Sequence, residues 1–510
     1  MGNIEVESSR QIKLGALVSY IGIIINIVAG LLYTPWMINQ IGQDNFGLYT
    51  LATSLISIFL IDFGLGAAVS RFVSKYVSEN DQDSINNMLG ITYKIYIIID
   101  LILLLSLIVV YFNLDMIYKE LTPSELTRFE TVYIIAAMFS VISFPFITLN
   151  GILTSYEKFI QLKICDLFQK LLSIILITLA LLNGYGLYAL VAANAVSGLI
   201  IILIKLIIIK RGTTININLK YSSKGMVKDI LSFSIWSTVV SVAQRLIFNI
   251  TPSILGSISG SVSIALFGIA SALEGYVYTI ANAINGLFLP RVTRLITRDN
   301  SSSNLLQLMI KVGRIQLLII GLIAIGFITV GSDFIVLWVG EEYLLSYYSA
   351  ILLILPSIIY LPQQIGNTAI VALNKMKLQA YVFLVMSVIN ITLSVILSIY
   401  WGVLGASLAI FISYNIRNIG MNLIYHKVIN LNMVTFFKEC HIKLMVPLFI
   451  SLMMGLIVNL LLPNISWLYL MLKVFYVVIT YLIIMWLFAM NSYEKNLLKS
   501  VIKKMILKIY

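Results

Sequence analysis

Charge is scarce in this chain, and several classes of function fall away with it. Asp, Glu, Lys and Arg make up 11% of the 510 residues. Soluble domains carry roughly 25%, so the chain cannot cover itself with a polar surface in water. Cysteine and histidine are scarcer still, at two residues each. Cys165 and Cys440 lie beside basic loops that the topology below places in the cytosol, so no disulfide is expected. His426 and His441 fall at helix ends without metal-ligand spacing, which argues against a metal centre. No Walker A pattern occurs, so ATP hydrolysis by the chain itself is not expected. Residues 1–13 are polar, and the first apolar run, about 14–37, is too long for a signal h-region. It reads as a first membrane span, with no cleavable signal.

Apolar length is what the chain has in abundance. Hydrophobic residues make up 60% of it, and the mean hydropathy is +0.99. Runs of about 20 apolar residues, the length that crosses a bilayer as helix, recur throughout. Backbone groups in lipid must pair internally, and no barrel-type alternation is present, so the runs are helices. The expected fold is an all-α polytopic membrane protein of about 14 transmembrane helices. The spans fall near 14–37, 47–70, 88–112, 131–150, 164–183, 186–210, 230–256, 262–289, 309–331, 345–371, 381–400, 403–426, 443–462 and 466–489. Tight hairpins are expected at Asn183–Gly186, Gly256–Gly260, Tyr400–Gly402 and Pro463–Asn464.

Orientation follows from the basic residues. Segments 71–87, 211–229, 291–308, 372–380, 427–442 and 490–510 hold most of them. Of 34 Lys and Arg, all but Lys119, Arg128, Arg245 and Lys473 lie in these segments or near the same helix ends. That asymmetry puts both termini in the cytosol. The net charge of +12 and pI of about 9.4 then reflect topology and contact with anionic lipid, and no nucleic-acid partner is expected.

A repeat sets the expected architecture. Phe144-Pro145 to Asn150 to Lys158 resembles Leu361-Pro362 to Asn367 to Lys375, each shifted by 217 residues. Gly186-Leu187-Tyr188-Ala189-Leu190 resembles Gly402-Val403-Leu404-Gly405-Ala406, shifted by 216. Ile41-Gly42 before Gly47-Leu48-Tyr49 resembles Leu255-Gly256 before Ala265-Leu266-Phe267. Single matches between apolar helices arise by chance, whereas three in order at nearly one offset describe a repeat. Two six-helix repeats, 1–217 and 218–430, are expected around a V-shaped central cavity. Residues 431–510 add a further helix pair and a basic cytosolic tail.

Charges inside the spans mark the candidate site, because an ionisable group at mid-bilayer is costly and needs a wet cavity or a partner. Arg245 lies midway along the seventh span and Glu274 at similar depth in the eighth. Asp100 is central in the third, and Asp62 lies in the inner half of the second. Arg245 on an anionic substrate, with the carboxylates tuning its field or carrying a coupling ion, is one reading. A purely structural Arg245–Glu274 pair is the other. Arg71, Arg291, Lys375 and Arg417 sit toward the cytosolic mouth, as topology anchors or as an attractive entrance for a phosphate-bearing headgroup. Asp166 is read as a helix partner of Lys170, and Lys473 as snorkelling.

The second span carries a family resemblance. Leu60-Ile61-Asp62-Phe63-Gly64-Leu65-Gly66 through Ser70-Arg71-Phe72 resembles the Asp-Phe-Gly-Leu-Gly … Arg segment of polysaccharide-export flippases. Gly42 … Phe46-Gly47-Leu48-Tyr49 resembles their Leu-Gly … Tyr-Gly-Leu-Tyr stretch, and Gly402-Val403-Leu404-Gly405-Ala406 looks like their late Gly-x-x-Gly-Ala motif. These are the O-antigen and capsule flippases of the multidrug/oligosaccharidyl-lipid/polysaccharide exporter superfamily. The resemblance implies flipping of undecaprenyl-diphosphate-linked oligosaccharide across the bacterial cytoplasmic membrane by alternating access. It also implies a cationic lumen, coupling to H⁺ or Na⁺ without another cofactor, and work beside polysaccharide polymerase and chain-length proteins. Lipid II flippases of the superfamily carry an arginine in the first span. This chain has the uncharged Asn26 there, which makes lipid II a poorer substrate.

Two other readings compete. A cation-coupled multidrug exporter of the same fold would favour an acidic, aromatic cavity. A membrane glycan polymerase or transferase would need catalytic carboxylates on an external loop. The longest such loop, about 113–130, leaves little room for them, so an enzyme is not expected.

Overall fold

The computed structural model describes residues 2–286, 288–296, 302–373 and 375–509. Residues 297–301 and 374, in two loops expected in the cytosol, lie outside the described residues. Among the described residues every regular element is helical. The first helices are α1 (Gly2–Ile41), α2 (Gln43–Phe59), α3 (Leu65–Ser78), α4 (Gln82–Tyr111), α5 (Pro123–Ser143), α6 (Phe159–Leu182), α7 (Leu187–Gly212) and α8 (Lys224–Phe248). Then come α9 (Gly260–Gly286), α10 (Ser302–Val339), α11 (Met376–Val428), α12 (Lys443–Leu461), α13 (Trp467–Ile484) and α14 (Ser492–Ile509). Short helices and 3-10 turns fill the connections.

Twelve helical segments among the described residues are long and apolar enough to cross a membrane. The chain is a multi-pass membrane protein. The sequence reading of about 14 differs from this number at two places, each with a physical reason. The second expected span is two helices, α2 of 17 and α3 of 14 residues, and neither reaches spanning length alone. The eleventh and twelfth are joined in α11, whose 53 residues would run about 80 Å at 1.5 Å per residue. Gly402, with φ 52° and ψ −128°, interrupts it at the expected hairpin.

Local chemistry explains several boundaries. Asp81 caps α4, its Oδ1 accepting the Ser84 amide at 2.9 Å. Hydrogen bonds from Ser84 hold that carboxyl below the usual carboxylate range. A capping box opens α5. Thr122 Oγ1 accepts the Glu125 amide at 3.3 Å, and Glu125 Oε2 accepts the Thr122 amide at 2.7 Å. Pro145 and Pro362, the repeat-matched prolines, sit second in two 3-10 turns, Phe144–Ile147 and Leu361–Gln363. A proline there removes an amide that the helix would need and bends the segment. The matched asparagines also behave alike. Asn150 Oδ1 accepts from Lys205 Nζ at 2.9 Å and Asn367 Oδ1 from Gln379 Nε2 at 2.7 Å.

The chain forms two compact units. One contains residues Met1–Gly268 with Phe383–Ala409, the other Ile269–Val382 with Ile410–Tyr510. In the first, α3 packs on the short helix Thr148–Ser155, where Gly151 allows backbone contact. A Cβ at Gly151 would stand 2.7 Å from the Gly66 carbonyl.

In the second unit α12 and α13 pack on α10. Asn459 Nδ2 donates to the Thr329 carbonyl at 2.6 Å, and Tyr481 hydroxyl to the Leu318 carbonyl at 2.7 Å. Lys473 does not snorkel: its side chain is 2% exposed and meets Asp333 Oδ2 at 2.5 Å. The cost of a bare ammonium in the apolar layer favours this pairing over exposure. At the start of α14, Arg314 Nε donates to Glu494 Oε1 at 2.6 Å. The same guanidinium holds the Glu439 and Ala489 carbonyls, each at 2.8 Å.

Candidate functional site

Residues 60–64 interrupt the second span, and the sequence there dictates how. Phe63 has φ 49° and Gly64 φ 65°, so the chain leaves α2, turns through the left-handed region and restarts as α3. Gly64 is required twice over. Its φ suits glycine, and a Cβ would lie 2.9 Å from the Ser234 carbonyl. Asp62 caps the restart, its Oδ1 accepting the Gly66 amide at 2.9 Å and the Tyr96 hydroxyl at 2.8 Å. Gly66 makes room for that carboxylate, because a Cβ there would stand 2.8 Å from Asp62 Oδ2. Phe63 packs edge-on to Phe144, with ring centroids 6.1 Å apart.

A broken helix within a span frees carbonyls, and each one unmet in lipid costs several kcal/mol. One stripe of α8 supplies donors. Ser234 Oγ donates to the Gly64 carbonyl at 3.2 Å. Thr238 Oγ1 lies in hydrogen-bond contact with the Phe63 carbonyl, and Arg245 Nη1 with the Ser57 carbonyl. Spacings of four and seven residues keep the three on one helix face. Arg245 is half-buried and within electrostatic reach of Asp62. Two of the predicted site residues, Asp62 and Arg245, therefore meet at this break.

In the second unit Glu274 and Arg417 converge on Tyr360. Glu274 is buried and Oε1 accepts the Tyr360 hydroxyl at 3.2 Å. The Arg417 guanidinium lies 4.8 Å from the Tyr360 ring centroid and 5.7 Å from that of Tyr414. Arg417, assigned by sequence to the entrance, is 6% exposed. Aromatic faces of this kind stabilise a guanidinium taken out of water.

The sequence model of a family described as polysaccharide biosynthesis protein matches residues 12–296, more than half of the chain. The chain belongs to that family. It is similar in structure to one described as lipid II flippase MurJ in an inward closed conformation, at 15% identity and TM-score 0.67. That match covers 94% of this chain and 98% of the other. An inward-facing multidrug resistance MATE transporter of the MOP superfamily matches at 15% identity, TM-score 0.63, over 83% and 99% of the two chains. A MOP superfamily transporter from Pyrococcus furiosus matches at 14% identity, TM-score 0.59, over 83% and 96%. No match to a curated protein was found. At these identities the likeness shows the fold, which is that of the MurJ and MATE transporters.

The remaining predicted residues of this polysaccharide-biosynthesis chain make no hydrogen bond or ion pair with Asp62, Arg245, Glu274 or Tyr360 among the described residues. Asp100 Oδ1 is buried with no hydrogen-bond partner among the described residues. Arg71 is exposed, with its guanidinium 4.6 Å from the Phe233 ring. Arg291 is exposed on the short helix Leu289–Arg294. Lys375 is exposed and donates to the Val428 carbonyl at 3.2 Å. Asp166 pairs with Lys163 at 3.4 Å and the buried Lys205 at 3.3 Å, not with Lys170. Cys165 and Cys440 are both free and buried. Sequence reasoning missed Tyr96, Ser234, Thr238 and Tyr360. The only signal was a spacing, since Ser234 and Thr238 recur with Arg245 on one face of α8.

Proposed function

We propose that the chain is a flippase, and not an enzyme. It carries undecaprenyl-diphosphate-linked oligosaccharide repeat units, such as those of O-antigen or capsule, from the inner to the outer leaflet by alternating access. The membrane is the bacterial cytoplasmic membrane, with both termini of the chain in the cytosol. Family membership and the transporter fold support this reading. The observation that carries it is Arg245. Its guanidinium stands within a membrane span and donates to a carbonyl, which orients it, with the Asp62 carboxylate within electrostatic reach but not hydrogen-bonded to it among the described residues. Among the described residues four N–H donors remain beyond the one on Ser57, in the planar fork that suits phosphate oxygens. A diphosphate headgroup is the anion such a site would take.

Glu274 is the group we assign to a coupling H⁺ or Na⁺, with Tyr360 orienting it and Arg417 stacked on the same ring. Polysaccharide polymerase and chain-length proteins are the partners downstream, and membrane lipid surrounds the whole. A multidrug exporter would gain nothing from an arginine placed to repel organic cations.

The test is complementation at matched membrane abundance, reading surface polysaccharide together with undecaprenyl-linked units retained in the cell. Arg245→Ala should abolish surface polymer while lipid-linked units accumulate. Losing a charge-assisted contact of about 2 kcal/mol or more corresponds to at least roughly 30-fold. Arg245→Lys, which keeps the charge and loses the fork, should be intermediate. Normal export by Arg245→Ala would remove Arg245 from the transport path.

A further inference from the structure

Helix α8 straddles the break in the second span. Arg245 holds the Ser57 carbonyl, just before the break, and Thr238 and Ser234 hold the Phe63 and Gly64 carbonyls, at its far end. All three donors leave one helix face, so the two ends of the break are tied to a single rigid rod. We propose that Thr238, supported by Ser234, is a positioning residue for Arg245, fixing α8 against the start of α3 so that the guanidinium keeps its place. The inference rests on the reading of Arg245 as the anion-binding group and goes beyond it by naming the residue that sets its geometry.

Three observations make the assignment specific. The Thr238 hydroxyl is not turned only toward its own helix. It lies 2.8 Å from the Ser234 carbonyl, as a helical threonine ordinarily does, and also contacts Phe63 on the neighbouring element. The fit at Gly64 is close enough that a Cβ would press on the Ser234 carbonyl and the Ser237 Cβ, at 2.9 and 3.1 Å. The α8 backbone therefore has little freedom to shift along α3. Beyond the break, Arg71 on α3 places its guanidinium 4.6 Å from the ring of Phe233, the residue before Ser234. The contact between α8 and α3 is thus continuous from Phe233 to Thr238. Thr238 is the tie nearest Arg245 in this contact, and without its hydroxyl the Arg245 end of α8 is held to the break by the Ser57 carbonyl alone.

The experiment uses the full-length protein in nanodiscs at fixed ionic strength, with inorganic pyrophosphate as the headgroup probe. Affinity is read by the concentration dependence of the melting temperature. Wild type should bind, and Arg245→Ala should lose binding. Thr238→Val keeps the side-chain volume and removes the hydroxyl. It should bind about tenfold more weakly, the fold-change of one hydrogen bond's worth of misplacement. Thr238→Ser should restore wild-type affinity. The double variant Thr238→Val/Arg245→Ala should be no worse than Arg245→Ala, because Thr238 acts through Arg245.

Wild-type affinity in Thr238→Val, beside a loss in Arg245→Ala, would overturn the positioning role and leave the anion site standing. A drop in the unliganded melting temperature with unchanged affinity would make Thr238 merely structural, again against the proposal. Unchanged binding in Arg245→Ala would overturn the anion site itself, a different failure from the other two.

Discussion

A methyl group at residue 64 would meet the Ser234 carbonyl at a backbone φ of +65°, so Gly64→Ala faces two penalties at once. Gly184 offers the comparison, since its φ is +79° and nothing lies within 4 Å of a Cβ there. Gly184→Ala should cost only the left-handed backbone term, about 1–2 kcal/mol. Gly64→Ala should cost roughly twice that, because backbone on α8 must move as well. Melting temperatures of the two variants in one detergent decide the matter, and equal losses would mean that α8 yields freely at this contact. The Asp-Phe-Gly-Leu-Gly segment was legible as a motif, but the reasons for its letters were not. Sequence marks Asp62 as a charge in a span. Only the fold reveals it as the cap of α3 and the acceptor for Tyr96. Thr238 was invisible for a similar reason. Hydroxyls in apolar helices ordinarily bond back to their own turn, as Thr50 and Ser140 do. In the sequence only its spacing from Ser234 and Arg245 separates Thr238 from them.

At the scale of the helix, buried ion pairs decide how α13 and α14 attach. Lys473 on α13 and Asp333 on α10 are 2% and 13% exposed, and Arg314 and Glu494 are 6% and 3%. Removing one partner of such a pair leaves an uncompensated buried charge, at about 3–5 kcal/mol, whereas replacing both by apolar residues is often neutral. Lys473→Met should therefore lower the amount of folded protein in the membrane, and Lys473→Met/Asp333→Leu should recover it. Detergent-solubilised size-exclusion profiles read both. A double variant no better than the single would show that the pair holds more than its own charges. Sequence placed the helix containing Lys473 correctly by its apolar run, yet assigned the lysine to the interface, because its partner lies 140 residues away. A different limit bears on the second span. Hydropathy registers apolar length, so it read 47–70 as one crossing, while backbone geometry breaks that stretch at Phe63 and Gly64. The hairpin at Gly402 was legible because glycine there followed directly on an apolar run.

For the molecule as a whole, the charge of the proposed cargo meets the membrane potential. A diphosphate moving outward from an inside-negative cell gains about 2.3 kcal/mol per charge per 100 mV. Over one full charge that is a shift of roughly 50-fold in the leaflet distribution per 100 mV, enough to drive export without a coupled cation. Arg245 fits this picture, because among the described residues its hydrogen bond goes to a neutral carbonyl, and its charge can hold the anion and hand it on as the potential pulls it. In proteoliposomes with a valinomycin-set potassium gradient, transport of a lipid-linked diphosphate oligosaccharide should quicken when the donor side is made negative and slow when the gradient is reversed. Glu274→Gln then separates the drivers. If the potential suffices, the variant keeps its voltage response and loses only its dependence on a proton or sodium gradient. If Glu274 instead exchanges an inward H⁺ or Na⁺ for the outgoing anion, both movements carry charge in the same electrical sense, so wild-type transport needs the ion gradient and still responds to voltage. In that case Glu274→Gln stops transport at every voltage, and export requires ion exchange as well as the field.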